Sequence, residues 1–181
     1  MTRRTRGCLA AGAVTLTLAL GITLTTACAP DPSPTPSPST TGFASEEEAF
    51  AAAEATYRAY VDALNEVDLS DPATFEPVFS TLSGSALEDE KKSLSEMHAD
   101  QLTVSGESEV VGFYLLTTTP LTTVACLDVS AVALTDANGV SQVSDTRPDV
   151  YSFEVSFYEA SGTSLRIESM SAIEDQRCAG S

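Results

Sequence analysis

Residues 45–67 read SEEEAFAAAEATYRAYVDALNEV, and this stretch predicts the long amphipathic helix on which the fold is built. Ser45 and Glu48 have the spacing of a capping box, and the leading acidic residues suit the positive end of a helix. Apolar residues then recur in steps of three and four, which places them on one face. They are Phe50, Ala53, Tyr57, Tyr60, Val61, Leu64 and Val67. We expect the helix to end near Asp68 and to lie across a sheet.

A second helical region follows the first. The turn-rich segment 71–79 supplies side chains for one end of the core, namely Phe75, Val78 and Phe79. Ser85 and Glu88 repeat the capping-box spacing and predict a helix that runs to about Gln101. Its expected inward residues are Leu87, Leu94, Met97 and His98. The charged run 88–92 is interpreted as a solvated first turn.

From Leu102 onward the chain is rich in Thr, Val, Ile, Phe and Tyr and predicts antiparallel strands. We expect four strands, at about 102–117, 121–135, 151–158 and from 164 onward. Gly106 and Gly112 are expected to bend the first strand, and a parity shift near Ser130 predicts a bulge in the second. The inward residues of the last strand are predicted to be Leu165, Ile167 and Ile173.

Helices followed by four antiparallel strands predict one α+β domain over residues 43–181. In this arrangement the N-terminal helices pack on a curved antiparallel sheet. The segment 136–139 contains Asn138-Gly139, which suits the positive φ of a hairpin turn.

The first 27 residues predict an export signal. Arg3, Arg4 and Arg6 precede an apolar run over 9–26, and Ala27 is a small residue before the expected cleavage point. The alternative is a transmembrane helix, because the run approaches the ~18–20 apolar residues that cross a bilayer. The five threonines in the run and the cysteine after it favour a cleaved signal.

The segment Leu24-Thr25-Thr26-Ala27-Cys28 resembles a bacterial lipobox, although Thr25 stands where the usual pattern has a branched apolar residue. The resemblance implies that Cys28 carries diacylglycerol and becomes the first residue of the mature protein. Residues 28–42 alternate proline with serine and threonine and predict a semi-rigid stalk. We therefore expect a protein anchored through Cys28 at the outer face of the cell membrane.

Charge and cysteine usage narrow the possible partners. Without the three arginines of the signal, the chain has six basic and 26 acidic residues, a net charge of −20, which excludes a nucleic-acid partner.

Cys8 lies in the signal and Cys28 is assigned to lipid. Cys126 and Cys178 remain as an even pair in an oxidising compartment and predict a disulfide. These cysteines and His98 lack ligand spacing, so we expect no metal site and no cofactor.

Four segments, 53–60, 125–130, 136–139 and 147–149, resemble actinobacterial lipoproteins of the nuclear-transport-factor-2-like class. The resemblance implies a cone of helices that caps a bent sheet, and a Cys126–Cys178 bridge that pins the C-terminal tail. None of these motifs is catalytic.

No hydrolase elbow, phosphate-binding glycine loop or metal cluster appears in the sequence, and fold alone does not decide function. Tyr57, Tyr60 and His98 are the candidate ligand-binding residues. We expect a non-catalytic module at the cell surface that binds an envelope protein or a small apolar ligand. The alternative is an enzyme or carrier that acts on a small apolar molecule inside the cone. A pocket that holds His98 or a buried carboxylate near the two tyrosines would favour the enzyme; a core filled by Phe and Leu would favour an interaction module.

Overall fold

A computed structural model describes residues 42–179 of the chain. The predicted signal peptide at 1–27, the predicted lipidation site Cys28 and residues 29–41 of the predicted stalk lie outside the described residues. No helix in the described range is long and apolar enough to cross a bilayer.

Three helices and one 3-10 turn precede six strands. The helices are α1 (Glu46–Asn65), α2 (Glu76–Ser80) and α3 (Gly84–Ala99), and the 3-10 turn covers Pro72–Phe75. The strands are β1 (Thr103–Ser105), β2 (Glu109–Thr118), β3 (Leu121–Asp128), β4 (Ala133–Thr135), β5 (Val150–Ser161) and β6 (Ser164–Ile173).

The main sheet is antiparallel and four-stranded, in the order β2-β3-β5-β6. The two short strands β1 and β4 form a separate antiparallel ribbon. Helix α1 packs against β2, β3 and β6, and α3 packs against β6. Register shifts in the β2–β3 and β5–β6 pairs bend the sheet. The predicted α+β class, with N-terminal helices on an antiparallel sheet of four strands, is confirmed.

Helix α1 begins as the sequence predicts and ends earlier. The Ser45 hydroxyl accepts a hydrogen bond from the Glu48 N–H at 3.1 Å, and the Glu48 carboxylate accepts one from the Ala44 N–H at 2.8 Å. The helix ends at Asn65, three residues before the predicted end. Its fully buried residues are Ala49, Ala53, Tyr57, Tyr60 and Val61, so the predicted stripe is confirmed at its centre.

The predicted start of α3 is wrong. The N-cap residue is Ser83, and the Ser85 hydroxyl donates to the Glu168 carbonyl at 3.4 Å instead of capping the helix. The reason is strand pairing, because the Ser83 N–H donates to the Ile167 carbonyl at 2.8 Å. Gly84 has a φ of +52° where the chain turns from this contact into the helix. The sheet therefore fixes where α3 begins.

The first two predicted strands are each broken in two. Gly106 has a φ of +80° and separates β1 from β2. The second break is a turn in which the Val132 N–H donates to the Val129 carbonyl at 2.9 Å, so the expected bulge near Ser130 is a full interruption. The two short pieces pair with each other, with Val104 opposite Leu134.

Ile173 does not face the helices as predicted. Ser156 pairs with Ser169, but the next residue, Phe157, pairs with Ile167. Glu168 is therefore an extra residue in β6, and the side-chain parity reverses beyond it. Ile173 packs on the opposite face of the sheet, in a small cluster with Val124, Cys126 and Cys178.

Cys126 and Cys178 form the predicted disulfide, with their Cα atoms 5.3 Å apart and a sequence separation of 52. Both cysteines are buried. The bond holds the tail that follows β6 against the centre of β3.

Candidate functional site

The aromatic side chains of α1 divide between a packed core and a polar contact. Tyr57 is fully buried, and its ring centroid lies 5.7 Å from that of Phe113 and 5.9 Å from that of Tyr60. The Phe50 ring also contacts Phe113, with the ring centroids 5.6 Å apart. Burial raises the pKa of the Tyr57 phenol, whose hydroxyl has no hydrogen-bond partner among the described residues. This part of the helix face is core.

Tyr60, one turn further along, contacts a carboxylate. Its hydroxyl donates to Oε2 of Glu90 in α3 at 3.0 Å. Burial raises the pKa of the Glu90 carboxyl, and the hydrogen bond from Tyr60 opposes that rise. Burial, with the neighbouring Glu90 charge, also raises the pKa of the Tyr60 phenol. The hydrogen bond joins α1 to α3, and burial of the Glu90 carboxyl keeps its pKa above the ordinary value.

Glu90 lines a cavity of about 820 Å³. The walls come from the end of α1, the inner face of α3, the β1–β4 ribbon and the loop before β5. Most of the lining is apolar: Leu64, Val67, Leu69, Leu94, Met97, Val104, Val132, Leu134, Val143, Pro148 and Tyr151. A chamber of this kind can hold a small molecule with one or two polar groups.

Polar side chains fix the walls of the cavity to one another. Asn65 at the end of α1 donates to the Ser108 carbonyl at 3.0 Å and accepts from the Ser108 N–H at 2.9 Å. Arg147 donates through one nitrogen to the Val129 and Val132 carbonyls at 2.8 and 2.9 Å. These bonds fix the backbone of the loops that flank the β1–β4 ribbon. These loops form part of the cavity wall.

Gly106 brings the ribbon close to its neighbouring turn. A Cβ atom at this position would collide with the carbonyl oxygen of Ala131. Together with its φ of +80°, this contact requires glycine here. The predicted role of Gly106 as a strand bend is thereby replaced by a structural role at the cavity wall.

His98 lies outside the cavity lining. Its Nδ1 is 2.6 Å from the Leu69 carbonyl, and its ring meets Phe75 edge-on at 6.4 Å between centroids. Leu69 lines the cavity, so His98 contacts the backbone of a lining residue without lining the cavity itself. None of the three candidate residues from the sequence lines the cavity; Tyr60 and His98 each contact a lining residue, Glu90 and Leu69 respectively.

Three charged side chains line the cavity, namely Glu90, Glu107 and Arg147. The ion pairs of the described residues join other side chains, so neither Glu90 nor Arg147 is neutralised by one. Within residues 42–179 no group of three His, Cys, Asp or Glu side chains is placed to hold a metal ion.

Glu90 is the candidate site residue that the sequence interpretation missed. It lies in the charged run 88–92, which was expected to be solvated. The signal was its spacing, because Glu90 is four residues after the buried Ala86 and four before the buried Leu94. That spacing puts the carboxylate on the inward face of α3.

No family model matches the sequence, and no curated protein matches it. Among solved structures, one likeness is to the intermembrane space region of the chloroplast protein ARC6. It has 13% identity and a TM-score of 0.46, over 70% of this chain and 97% of that one. Another is to a de novo designed β-sheet protein solved by NMR, with 16% identity and a TM-score of 0.34, over 72% of this chain and 92% of that one. At these TM-scores neither likeness bears on function.

Proposed function

We propose that this protein is an exported, lipid-anchored domain that binds a small, mostly apolar molecule in the 820 Å³ cavity. The observation that carries the proposal is the partly buried carboxylate of Glu90, which lines a cavity whose walls are mostly apolar. The cavity opens to solvent, because lining residues such as Gln142, Ser144 and Pro148 are exposed, and a small molecule can therefore reach it.

The size and chemistry of the chamber suit a ligand. Small-molecule sites are concave, occupy roughly 300–1,000 Å³ and combine apolar walls with a few placed polar groups. Here the apolar walls come from α1, α3 and the ribbon, and the polar groups are Glu90, Glu107 and Arg147. A ligand would gain free energy by burying its apolar surface, and the polar groups would orient it.

The proposed place of action rests on the N-terminal sequence. The lipobox-like segment that ends at Cys28, followed by the proline-rich stalk, supports a domain tethered to the outer face of the cell membrane. The segments that resemble nuclear-transport-factor-2-like lipoproteins support the same assignment. The test of the anchor is Cys28→Ala followed by cell fractionation, in which release from the membrane is expected; full membrane retention with unchanged electrophoretic mobility would contradict it.

A second candidate function is acid–base catalysis on the bound molecule. The Tyr60–Glu90 contact favours it, because a carboxyl group with a raised pKa at the wall of an apolar chamber can exchange a proton with a substrate. It meets the criterion set from the sequence, a carboxylate next to one of the two tyrosines. Binding ranks first because Glu107, the other carboxylate of the lining, is exposed to solvent, whereas acid–base catalysis favours a second reacting group that is shielded from water.

The test is recovery of the ligand. The full chain is purified from its native envelope, and bound small molecules are identified by mass spectrometry. Met97→Trp places a larger side chain in the cavity and is expected to remove the ligand. Leu116→Trp is the matched control, because Leu116 is 40% exposed on β2 and lies outside the cavity lining.

A defined small molecule on the wild type and on the control, but not on Met97→Trp, supports the binding proposal. An equal amount on all three proteins, or none on any, contradicts it. If the recovered molecule is then converted to a product by the wild type and is bound but unconverted by Glu90→Gln, the catalytic candidate replaces simple binding.

A further inference from the structure

We infer that the ligand of the cavity is an organic cation, an apolar body that carries an amine, and that its ammonium group pairs with the carboxylate of Glu90. The inference rests on the proposed function, because it names the ligand class of the same cavity. It comes from the carboxylate of Glu90, which has acceptor positions without a donor.

The partly buried carboxylate of Glu90 accepts fewer hydrogen bonds than it could. An ionised carboxylate offers about four acceptor positions, and here Oε2 accepts one hydrogen bond, from Tyr60. Its neighbours in the cavity wall include Leu94 and Met97, which offer no hydrogen-bond donor. Burying a charge without a partner is costly, and a cation that enters the chamber would remove that cost.

The other charged groups of the cavity fit a cationic ligand. Glu107 adds a second negative charge to the lining. Arg147 is the one basic residue of the lining, and its guanidinium already donates to the Val129 and Val132 carbonyls. Only Nη2 of Arg147 makes these bonds, so the preference rests on the charge balance of the lining: two carboxylates, Glu90 and Glu107, against one guanidinium. This balance favours an ammonium group over a carboxylate on the ligand.

Two further features favour a cation. Tyr151 lines the same cavity, and an aromatic ring attracts a positive charge placed over its face. The chain as a whole carries a net charge of −17, which raises the local concentration of cations around the opening.

The experiment compares three probes of nearly equal shape: 1-naphthylmethylamine, 1-naphthalenemethanol and 1-naphthoate. Their affinities for the full chain in nanodiscs are measured by calorimetry at pH 7.5, with empty nanodiscs subtracted. A charge-assisted hydrogen bond in a partly buried site is expected to make the amine bind about tenfold more tightly than the alcohol.

Three variants assign the effect to one side chain. Glu90→Gln keeps the shape of the side chain and is expected to abolish the preference for the amine over the alcohol. Glu90→Asp retains the charge and is expected to retain a preference. Glu88→Gln removes an exposed carboxylate from the same helix and is expected to change nothing.

The outcomes separate this inference from the proposed function. Equal binding of amine and alcohol overturns the inference and leaves the binding function standing. Tightest binding of the naphthoate also overturns it and assigns the polar anchor to Arg147. If none of the three probes binds, the proposed function fails and the inference fails with it.

Discussion

The Tyr60 hydroxyl and Glu90 Oε2 lie 3.0 Å apart and join α1 to α3 beside an apolar cavity. Three residues earlier on the same helix face, the Tyr57 hydroxyl is buried against aromatic rings without a hydrogen-bond partner in the described part of the chain. Tyr57 and Tyr60 lie on the same face of α1, but they have different roles. One completes the core, and the other orients a carboxylate toward the chamber.

Glu90→Gln is expected to stabilise the fold at neutral pH. Burial raises the pKa of Glu90 in the folded protein above its ordinary value of 4.5. The folded state therefore binds more protons than the unfolded state between these two values, and the free energy of unfolding falls as pH rises through that window. Glutamine avoids the buried charge and still accepts the hydrogen bond from Tyr60.

Thermal unfolding of the wild type and Glu90→Gln across this pH range checks the expectation. The variant should have the higher Tm at pH 7, and the difference should shrink as the pH falls toward 4.5. Glu88→Gln should follow the wild type throughout. A Glu90→Gln difference that is constant with pH would show that ionised Glu90 is not destabilising.

Tyr57→Phe and Tyr60→Phe are expected to have opposite effects on stability. Removing the unpaired Tyr57 hydroxyl should leave the free energy of unfolding unchanged or raise it by up to about 1 kcal/mol. Removing the Tyr60 hydroxyl should lower it by about 1 kcal/mol, because Glu90 loses its donor. Urea unfolding at pH 7 measures both. Equal losses in the two variants would contradict the division of roles between them.

Reduction of the Cys126–Cys178 disulfide is expected to destabilise the domain. A bond that closes 52 residues contributes about 4 kcal/mol in the chain-entropy model. The Cys126→Ser, Cys178→Ser double variant should therefore unfold at a clearly lower urea concentration than the wild type. Adding a reductant should lower the midpoint of the wild type and leave that of the double variant unchanged. Two free thiols in the folded, exported protein would contradict the assignment.

Gly106→Ala is expected to damage the cavity wall. A side chain at a φ of +80° costs about 1–2 kcal/mol, and the new Cβ would also collide with the Ala131 carbonyl. Gly139→Ala is the matched control, because its φ is +78° but no atom lies within 4 Å of the added Cβ. Urea unfolding should show a larger loss for Gly106→Ala than for the control, and equal losses would mean that the close contact is unimportant.

Much of the fold follows from local patterns in the sequence. The apolar period of α1 and its Ser45 cap are properties of neighbouring residues, and so is the Asn138-Gly139 turn, in which Gly139 has a φ of +78°. The disulfide followed from cysteine parity once Cys8 and Cys28 were assigned elsewhere. These features do not depend on how distant segments meet.

The cavity could not be predicted in the same way. It depends on the β1–β4 ribbon, which exists because the chain breaks at Gly106 and again after Asp128, and because the two pieces pair across about 30 residues. The site of Glu90 was recoverable from its spacing to Leu94, but the surrounding charged run concealed it. The reversal of parity at Glu168 likewise depends on the pairing register, which a single strand does not encode.

The most direct test of the cavity is methyl NMR of the full chain labelled with ¹³C-methyl methionine. Met97 lines the cavity, and Met170 packs in the core outside its lining. Adding 1-naphthalenemethanol should shift the Met97 methyl resonance in a saturable way and produce Overhauser contacts to it, while the Met170 resonance stays in place. Equal shifts of both resonances, or no shift at Met97, would contradict a ligand-binding cavity at this position.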